Sequence, residues 1–178
     1  YDYAIKEFYT AEQLGLTLNE YKFHLSFAQY YSEKYDESLN SMQNFFNAGL
    51  TDSVIDSYTV YYNLGNLYLH NKKFAEAVKM YENLVGYSGL EDKDKMLLFN
   101  NIGLAYELSN NTDSAVSYYW KTIELQENYL DRKGEDFATG ISPKPKQNFK
   151  RLLSNNPQIE NIKNSMEWEI LSPEIIKQ

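Results

Sequence analysis

The chain has 178 residues, of which 43% are hydrophobic and 16% aromatic, so it has the composition of a domain with a hydrophobic core and not of a disordered segment. It has no cysteine, which excludes disulfides, thiol nucleophiles and cysteine metal sites. Its formal charge is −8, with six Lys or Arg against four Asp or Glu in residues 141–178 and eleven against twenty-one in residues 1–140. Since an acidic body repels phosphates and anionic lipids, we expect this domain to contact neither nucleic acid nor membrane.

The first predicted element is a helix at residues 1–15. Four residues recur there at intervals of three or four, which places them on one helical face: Tyr1, Ala4, Phe8 and Ala11. A helical hairpin is predicted next, at about residues 19–50. Leu25 and Ser26 lie in its first helix, and Tyr35, Ser38 and Met42 lie in its second.

The third predicted element, at residues 53–88, has a clear helical stripe at spacings i, i+3, i+4 and i+7: Tyr61, Leu64, Gly65 and Tyr68. A glycine inside a helix costs about 1 kcal/mol, and it is tolerated where a second helix approaches closely. Ala77 follows Gly65 after twelve residues, beyond a polar stretch at residues 71–73. We therefore expect a turn at this stretch and Gly65 packed against the helix that contains Ala77.

The fourth predicted element, at residues 91–131, repeats the same stripe without a gap: Phe99, Ile102, Gly103 and Tyr106. Ala115 again follows the glycine after twelve residues, with polar residues at 109–112 between them. The spacing predicts a second helical hairpin in which Gly103 packs against the helix that contains Ala115.

The starts of the two long first helices are predicted from capping residues. Asp52 or Ser53 suits the cap of a helix beginning near Val54, because a short side-chain oxygen accepts a hydrogen bond from a free backbone N–H. The acidic residues at 91–94 suit the start of a helix that runs to Leu108, because negative charge is favourable at the positive end of the helix dipole.

The repeated pattern resembles the tetratricopeptide repeat family, whose consensus has aromatic-x-x-Leu-Gly-x-x-Tyr and later Ala-x-x-x-aromatic. The alanine-equivalent positions Ala4, Ser38, Ala77 and Ala115 are 34, 39 and 38 residues apart, and the first of these gaps is the family's period. The resemblance implies an all-α fold, a right-handed superhelix of antiparallel helical hairpins, over residues 1–131. Because the chain opens inside a repeat, we expect it to be a piece of a longer protein.

The tail at residues 132–178 departs from the repeat pattern. Residues 132–147 are predicted to be a loop because of their Gly and Pro residues, and residues 148–153 a short helix. Asn156 and Pro157 are typical of a helix start, and an apolar face follows them: Ile159, Ile162, Met166 and Ile170. The tail is interpreted as capping helices for the repeats; the alternatives are that it occupies the groove or leads to a further domain.

The resemblance also implies a concave binding groove lined by first-helix positions two, five, nine and twelve. These positions, with the sixth beside them, are Glu20, Phe23, Phe27, Tyr30, Thr59, Tyr62, Asn63, Asn66, Leu69, Leu97, Asn100, Asn101, Leu104 and Glu107. The lining has no Lys or Arg to clamp a terminal carboxylate, so a neutral to basic protein or peptide is the expected partner. Asn66 and Asn100 are expected to bind a peptide backbone. Phe23 and Phe27 fit a core position as well as a groove position.

Catalytic and metal-binding patterns are absent from the sequence. The only histidines, His24 and His70, fall on different faces of different predicted hairpins. The sequence contains no Gly-rich phosphate loop, nucleophile elbow or zinc signature. We therefore expect these residues to carry no enzyme activity, metal or cofactor.

Three functions fit these observations. The favoured one is a protein–protein interaction scaffold that binds a peptide or protein segment in the groove. The second is the sensory part of a larger bacterial sensor kinase or pheromone-responsive regulator, since such proteins contain similar arrays and the Tyr- and Asn-rich composition resembles that of AT-rich bacterial genomes. The third is an accessory domain of an enzyme whose catalytic part lies elsewhere. The compartment and the oligomeric state do not follow from the sequence.

Overall fold

The structure, a computed structural model, describes residues 1–15, 18–50, 54–133 and 143–156. Within these ranges every regular element is an α-helix, which confirms the predicted all-α class. The helices are α1 Asp2–Gln13, α2 Glu20–Tyr31, α3 Tyr35–Asn47, α4 Ser57–His70, α5 Phe74–Val85, α6 Asp92–Leu108, α7 Thr112–Lys133 and α8 Lys144–Asn155. The chain divides into two compact units, Tyr1–Gly86 with α1 to α5 and Tyr87–Gln178 with α6 to α8.

Three helical hairpins carry the repeat pattern: α2 with α3 and α4 with α5 in the first unit, and α6 with α7 in the second. Their turns have the same backbone conformation. Glu33, Lys72 and Asn110 each adopt a positive φ, near 60°. The residue after each of them donates its backbone N–H to a carbonyl five residues earlier, at 2.8–2.9 Å. The predicted breaks near residues 71–73 and 109–112 are therefore confirmed, and the α2–α3 hairpin, which has Ser26 in place of the repeat glycine, has the same turn.

In the α4–α5 and α6–α7 hairpins, the glycine of the first helix contacts a tyrosine ring on the second helix. A Cβ added at Gly65 would lie 2.5 Å from the Tyr81 ring, and one added at Gly103 would lie 2.6 Å from the Tyr119 ring. Both tyrosines are fully buried, one helical turn after Ala77 and Ala115. The predicted close approach is confirmed, and the glycine makes room for an aromatic ring.

The first hairpin uses serines at the corresponding small positions. Ser38 and Ser26 are both buried, and the Ser38 hydroxyl donates to the backbone carbonyl of Ser26 at 2.6 Å. Met42 takes the place of the buried tyrosine. The two helices therefore approach closely with a hydrogen bond at the contact, which explains why a repeat without the glycine keeps the hairpin.

Helix α4 begins at Ser57 and not near Val54, and its cap is Asp56. Oδ1 of Asp56 accepts from the backbone N–H of Thr59 at 2.9 Å, and Oδ2 accepts from the Thr59 hydroxyl at 2.6 Å. Asp52 and Ser53, the expected caps, lie outside the described residues. By contrast, α6 begins at residue 92 and ends at residue 108. This confirms the predicted helix that starts at the acidic residues 91–94 and runs to Leu108.

Replacing Asp56 by Ala is expected to lower the free energy of unfolding by about 1 kcal/mol at neutral pH, because the cap is lost. The hydrogen bonds from Thr59 hold the pKa of Asp56 below its ordinary value. The ionised carboxylate therefore contributes fully to the free energy of unfolding above the pKa of Asp56 in the unfolded chain, about 4. This contribution is lost as the pH falls through the lower pKa of Asp56 in the folded protein. Urea unfolding of wild type and Asp56→Ala should differ at neutral pH and converge in acid. Asp56→Asn, which keeps an acceptor, is the control with the smaller loss.

The tail helix α8 begins at Lys144, inside the predicted loop, and extends past the predicted end to Asn155. Pro145 lies in its first turn, where a missing N–H leaves no helical hydrogen bond unmade. The proline that suggested a loop is thus part of the helix start. The second predicted tail helix, which begins at Asn156-Pro157, lies outside the described residues except for Asn156 itself.

Candidate functional site

The predicted groove residues on α2 divide between core and surface. Phe23 is 7% exposed and belongs to a hydrophobic core with Phe45 and Leu64. Of the two positions that the sequence allowed for it, core and groove, Phe23 thus occupies the core. Phe27 is half-buried against this core, with its ring centroid 4.9 Å from that of Phe23. Of the two phenylalanines, only Phe27 therefore leaves part of its side chain exposed.

Tyr30, at the end of α2, lies in an aromatic cluster with His70. Its hydroxyl is 2.8 Å from Nε2 of His70, and the ring of His70 stacks on Tyr35 with centroids 5.1 Å apart. Burial raises the pKa of Tyr30, which favours the protonated hydroxyl. The cluster ties α2, α3 and α4 together. Sequence spacing missed it because Tyr30 and His70 are forty residues apart.

Tyr62 on α4 is half-buried and held by two neighbouring rings. It stacks on Tyr58 with centroids 5.8 Å apart and planes 18° apart, and it is tilted against Tyr81 at 6.0 Å. Leu69, two helical turns later, is also half-buried. This part of α4 therefore presents an aromatic side chain whose position is restricted by ring contacts.

The amide groups predicted on α4 already have partners within the first unit. Oδ1 of Asn66 accepts from the Tyr81 hydroxyl at 2.6 Å. Nδ2 of Asn63 donates to the backbone carbonyl of Thr59 at 2.7 Å, and the Thr59 hydroxyl is used by the helix cap. The acceptor of Asn66 that was expected to bind a peptide backbone is thus used by a buried tyrosine.

In the second unit, α8 packs its apolar side chains on the α6–α7 hairpin. Phe149 and Leu152 are both 3% exposed and join a core with Val116, Tyr119 and Ile123. Burial of these side chains supplies the main favourable contribution to docking. Helix α8 therefore closes the core of this hairpin.

The same helix also contacts two predicted groove positions. Asn148 donates to Oδ1 of Asn100 at 3.0 Å. Arg151 donates to both oxygens of Glu107, at 3.1 and 2.7 Å, and the buried Tyr119 hydroxyl donates to the same carboxylate at 2.7 Å. Burial and this hydrogen bond raise the pKa of Tyr119, so the phenol stays protonated as a donor. Asn100 and Glu107, expected to face a partner, therefore bind a helix of the same chain.

The docked helix is basic, with four Lys or Arg and no Asp or Glu between residues 144 and 155. A second ion pair joins its Lys146 to Glu127 on α7. The acidic hairpin thus binds a basic amphipathic segment through apolar burial and ion pairs. Among the other predicted positions in this unit, Asn101 accepts from Asn100 at 3.4 Å, Leu104 is half-buried, and Leu97 is 49% exposed.

The described residues include no group of three or more His, Cys, Asp or Glu side chains that could hold a metal ion. Across the same ranges no helix has the length and apolar character needed to cross a membrane. His24 is exposed on α2 and lies edge-on to Phe23, whereas His70 ends α4. The two histidines thus belong to different hairpins, as their sequence positions predicted.

Solved structures with the same fold include three with low sequence identity. A MamA protein is 23% identical, with a TM-score of 0.55 over 74% of this chain and 66% of that chain. The TPR-like repeats of a putative kinesin light chain from Podosopora anserina are 14% identical, with a TM-score of 0.68 over 94% and 81%. A fragment of MamA from Desulfovibrio magneticus RS-1 is 13% identical, with a TM-score of 0.58 over 93% and 87%. At these identities the likeness shows the fold alone.

The family model described as tetratricopeptide repeat matches the sequence at residues 58–95 and 98–129. No curated protein matches the sequence of this chain significantly. The two matched stretches contain the two glycine–tyrosine contacts, at Gly65 and Gly103. The turns, the close helix contacts and the sequence match agree, and residues 58–95 and 98–129 are tetratricopeptide repeats.

Proposed function

We propose that this chain is a protein-interaction scaffold whose first unit binds a basic, partly apolar peptide segment on α2 and α4. Tetratricopeptide repeats generally bind other proteins, and their helical arrays present extended surfaces for this purpose. The proposal rests mainly on the half-buried aromatic residues of these helices, of which Phe27, Tyr30 and Tyr62 are held by ring contacts. Aromatic side chains that are already ordered lose little conformational entropy when a partner binds.

The proposed basic character of the partner is supported by charge and by the docked α8. Residues 1–140 carry eleven Lys or Arg against twenty-one Asp or Glu, which favours approach of a basic segment. In the second unit, α8 supplies Arg151 to Glu107 and apolar side chains to the hairpin core. The α6–α7 hairpin thus already binds a segment that is both basic and apolar. We expect the partner of the first unit to combine the same two properties.

Replacing Tyr62 by Ala is expected to weaken partner binding by about 2 kcal/mol, through the loss of an ordered aromatic contact. Proteins captured from the native source by wild type and by the variant are identified by mass spectrometry. The affinity of a peptide from a captured partner is then measured. Tyr62→Phe, which keeps the ring, should bind like wild type, and so should Tyr3→Ala, which removes an exposed tyrosine of α1.

Two further measurements test the chemistry of the partner. Raising the salt concentration should weaken binding, because exposed charges are screened. Amidation of the peptide's terminal carboxylate should leave the affinity unchanged, since the predicted groove positions include no Lys or Arg. Equal capture of the partners by wild type and Tyr62→Ala would show that this surface is not the binding site.

A further inference from the structure

A cleft of about 270 Å³ lies between α1, α2 and α3 in the first unit. Its lining residues differ from the aromatic positions that carry the proposed function. We propose that this cleft binds a guanidinium group, either of a free arginine-like compound or of an arginine side chain in a peptide. Its volume is slightly below the range of about 300–1,000 Å³ typical of drug-sized ligands, which suits a ligand of one amino acid.

One of the residues that line the cleft, Gln29, has a buried acceptor without a partner. Gln29 is 1% exposed, and its Nε2 donates to the Tyr9 hydroxyl at 3.1 Å. Its Oε1 is buried and has no hydrogen-bond partner among the described residues. A buried carbonyl without a donor is unfavourable, so a ligand that brings an N–H group to this atom gains a hydrogen bond that the protein lacks.

A carboxylate on α1 is held at the same cleft. The Tyr21 hydroxyl donates to Oε1 of Glu12. Burial, together with Glu12, raises the pKa of Tyr21 to about 12, so the hydroxyl remains a donor at neutral pH. Glu12 is thereby fixed through one oxygen, which leaves Oε2 to accept from a second donor. A fixed acceptor costs less ordering entropy when a ligand binds.

Helix α3 supplies the opposite wall. Glu37, Asn40 and Asn44 lie at spacings of three and four residues and therefore share one helical face toward the cleft. With Glu12 on α1 and Lys22 on α2, the cleft has two carboxylates and one ammonium, a net charge of −1. The charge disfavours an anion and favours a cation.

The acceptors are distributed over three helices, and this arrangement favours guanidinium. A guanidinium group has five N–H donors in one plane and no acceptor, so it can donate to acceptors on several sides of a cleft at once. A metal ion would need its ligands gathered at one point, and the described residues contain no such group of His, Cys, Asp or Glu. The planar cation therefore fits the chemistry of the cleft.

The probes are free arginine, capped N-acetyl-arginine amide and citrulline, which has the shape of arginine with an uncharged urea group. Each is titrated into the 178-residue chain, and amide chemical shifts are followed by NMR. At least one arginine probe should bind with a Kd of about 1 mM or lower, with shifts centred on α1, α2 and α3, and citrulline at least about tenfold more weakly. Preference for free arginine assigns the site to a free compound, and preference for the capped form assigns it to a peptide side chain.

Variants connect this binding to the cleft. Glu12→Gln and Glu37→Gln should each weaken binding of the better arginine probe about tenfold, because a charge-assisted hydrogen bond is lost. Glu76→Gln makes the same change at an exposed position of α5 and should leave the affinity unchanged. Gln29→Met removes the unpaired acceptor and should also weaken binding of the arginine probe. Thermal unfolding checks that each variant is folded.

Three outcomes would overturn the proposal. They are equal binding of citrulline and arginine, equal weakening by Glu76→Gln and Glu12→Gln, and shifts spread over the acidic surface without a centre at the cleft. The test is separate from that of the peptide-binding surface, because Tyr62→Ala lies outside the cleft and should leave arginine binding unchanged.

Discussion

Replacing Leu152 by Ala is expected to lower the free energy of unfolding of the second unit by about 2–5 kcal/mol. Leu152 is 3% exposed and packs in the core formed by α7 and α8, so its loss removes apolar burial and leaves a cavity. Because α8 is only twelve residues long, its ordering depends on this docking. Urea unfolding followed by circular dichroism gives the change in stability, and hydrogen exchange gives the protection of α8.

A matched control is available in the same unit. Leu97 on α6 is 49% exposed, so Leu97→Ala should change the free energy of unfolding by about 0.5 kcal/mol or less. The difference between the two leucines measures the contribution of the buried contact. Similar losses for both variants, or unchanged exchange of α8 in Leu152→Ala, would contradict the docking of this helix.

Replacing Gly65 or Gly103 by Ala is expected to lower the free energy of unfolding by about 1–3 kcal/mol. In an open helix the same change would stabilise by up to about 1 kcal/mol, because alanine is the better helix former. Here the new Cβ would lie 2.5 Å from the Tyr81 ring or 2.6 Å from the Tyr119 ring. Both rings are fully buried and have no room to move away, so the steric cost exceeds the gain in helix propensity.

Gly86→Ala is the control for this prediction. Gly86 follows α5, and a Cβ there would meet nothing within 4 Å. Its φ of −92° is accessible to alanine, so the substitution should be neutral or slightly stabilising. Thermal unfolding of the three variants compares the two environments directly. A midpoint for Gly65→Ala equal to that of Gly86→Ala would show that the Tyr81 ring does not limit the space.

The hairpins follow from the sequence because they depend on neighbouring residues. Stripes at i, i+3, i+4 and i+7 predict which helical face meets the second helix, and polar residues at 71–73 predict where the chain turns. The partner of Gly65 belongs to the helix predicted from Ala77, sixteen residues away at Tyr81. The N-cap residue of α4 could not be predicted in the same way, because several nearby residues have a side-chain oxygen that could accept from the free backbone N–H groups. The structure selects Asp56, whose two oxygens both bind Thr59.

The sequence by itself therefore determined the helical class, the hairpin turns and the close glycine contacts. Only the tertiary structure decided what the groove positions touch. Local spacing places Asn100 and Glu107 on a helix, but their partners Asn148 and Arg151 are 48 and 44 residues later. The cleft around Gln29 likewise needs side chains from three helices. Helix periodicity depends on intervals of a few residues, whereas hydrogen bonds, ion pairs and clefts between helices depend on how distant segments meet.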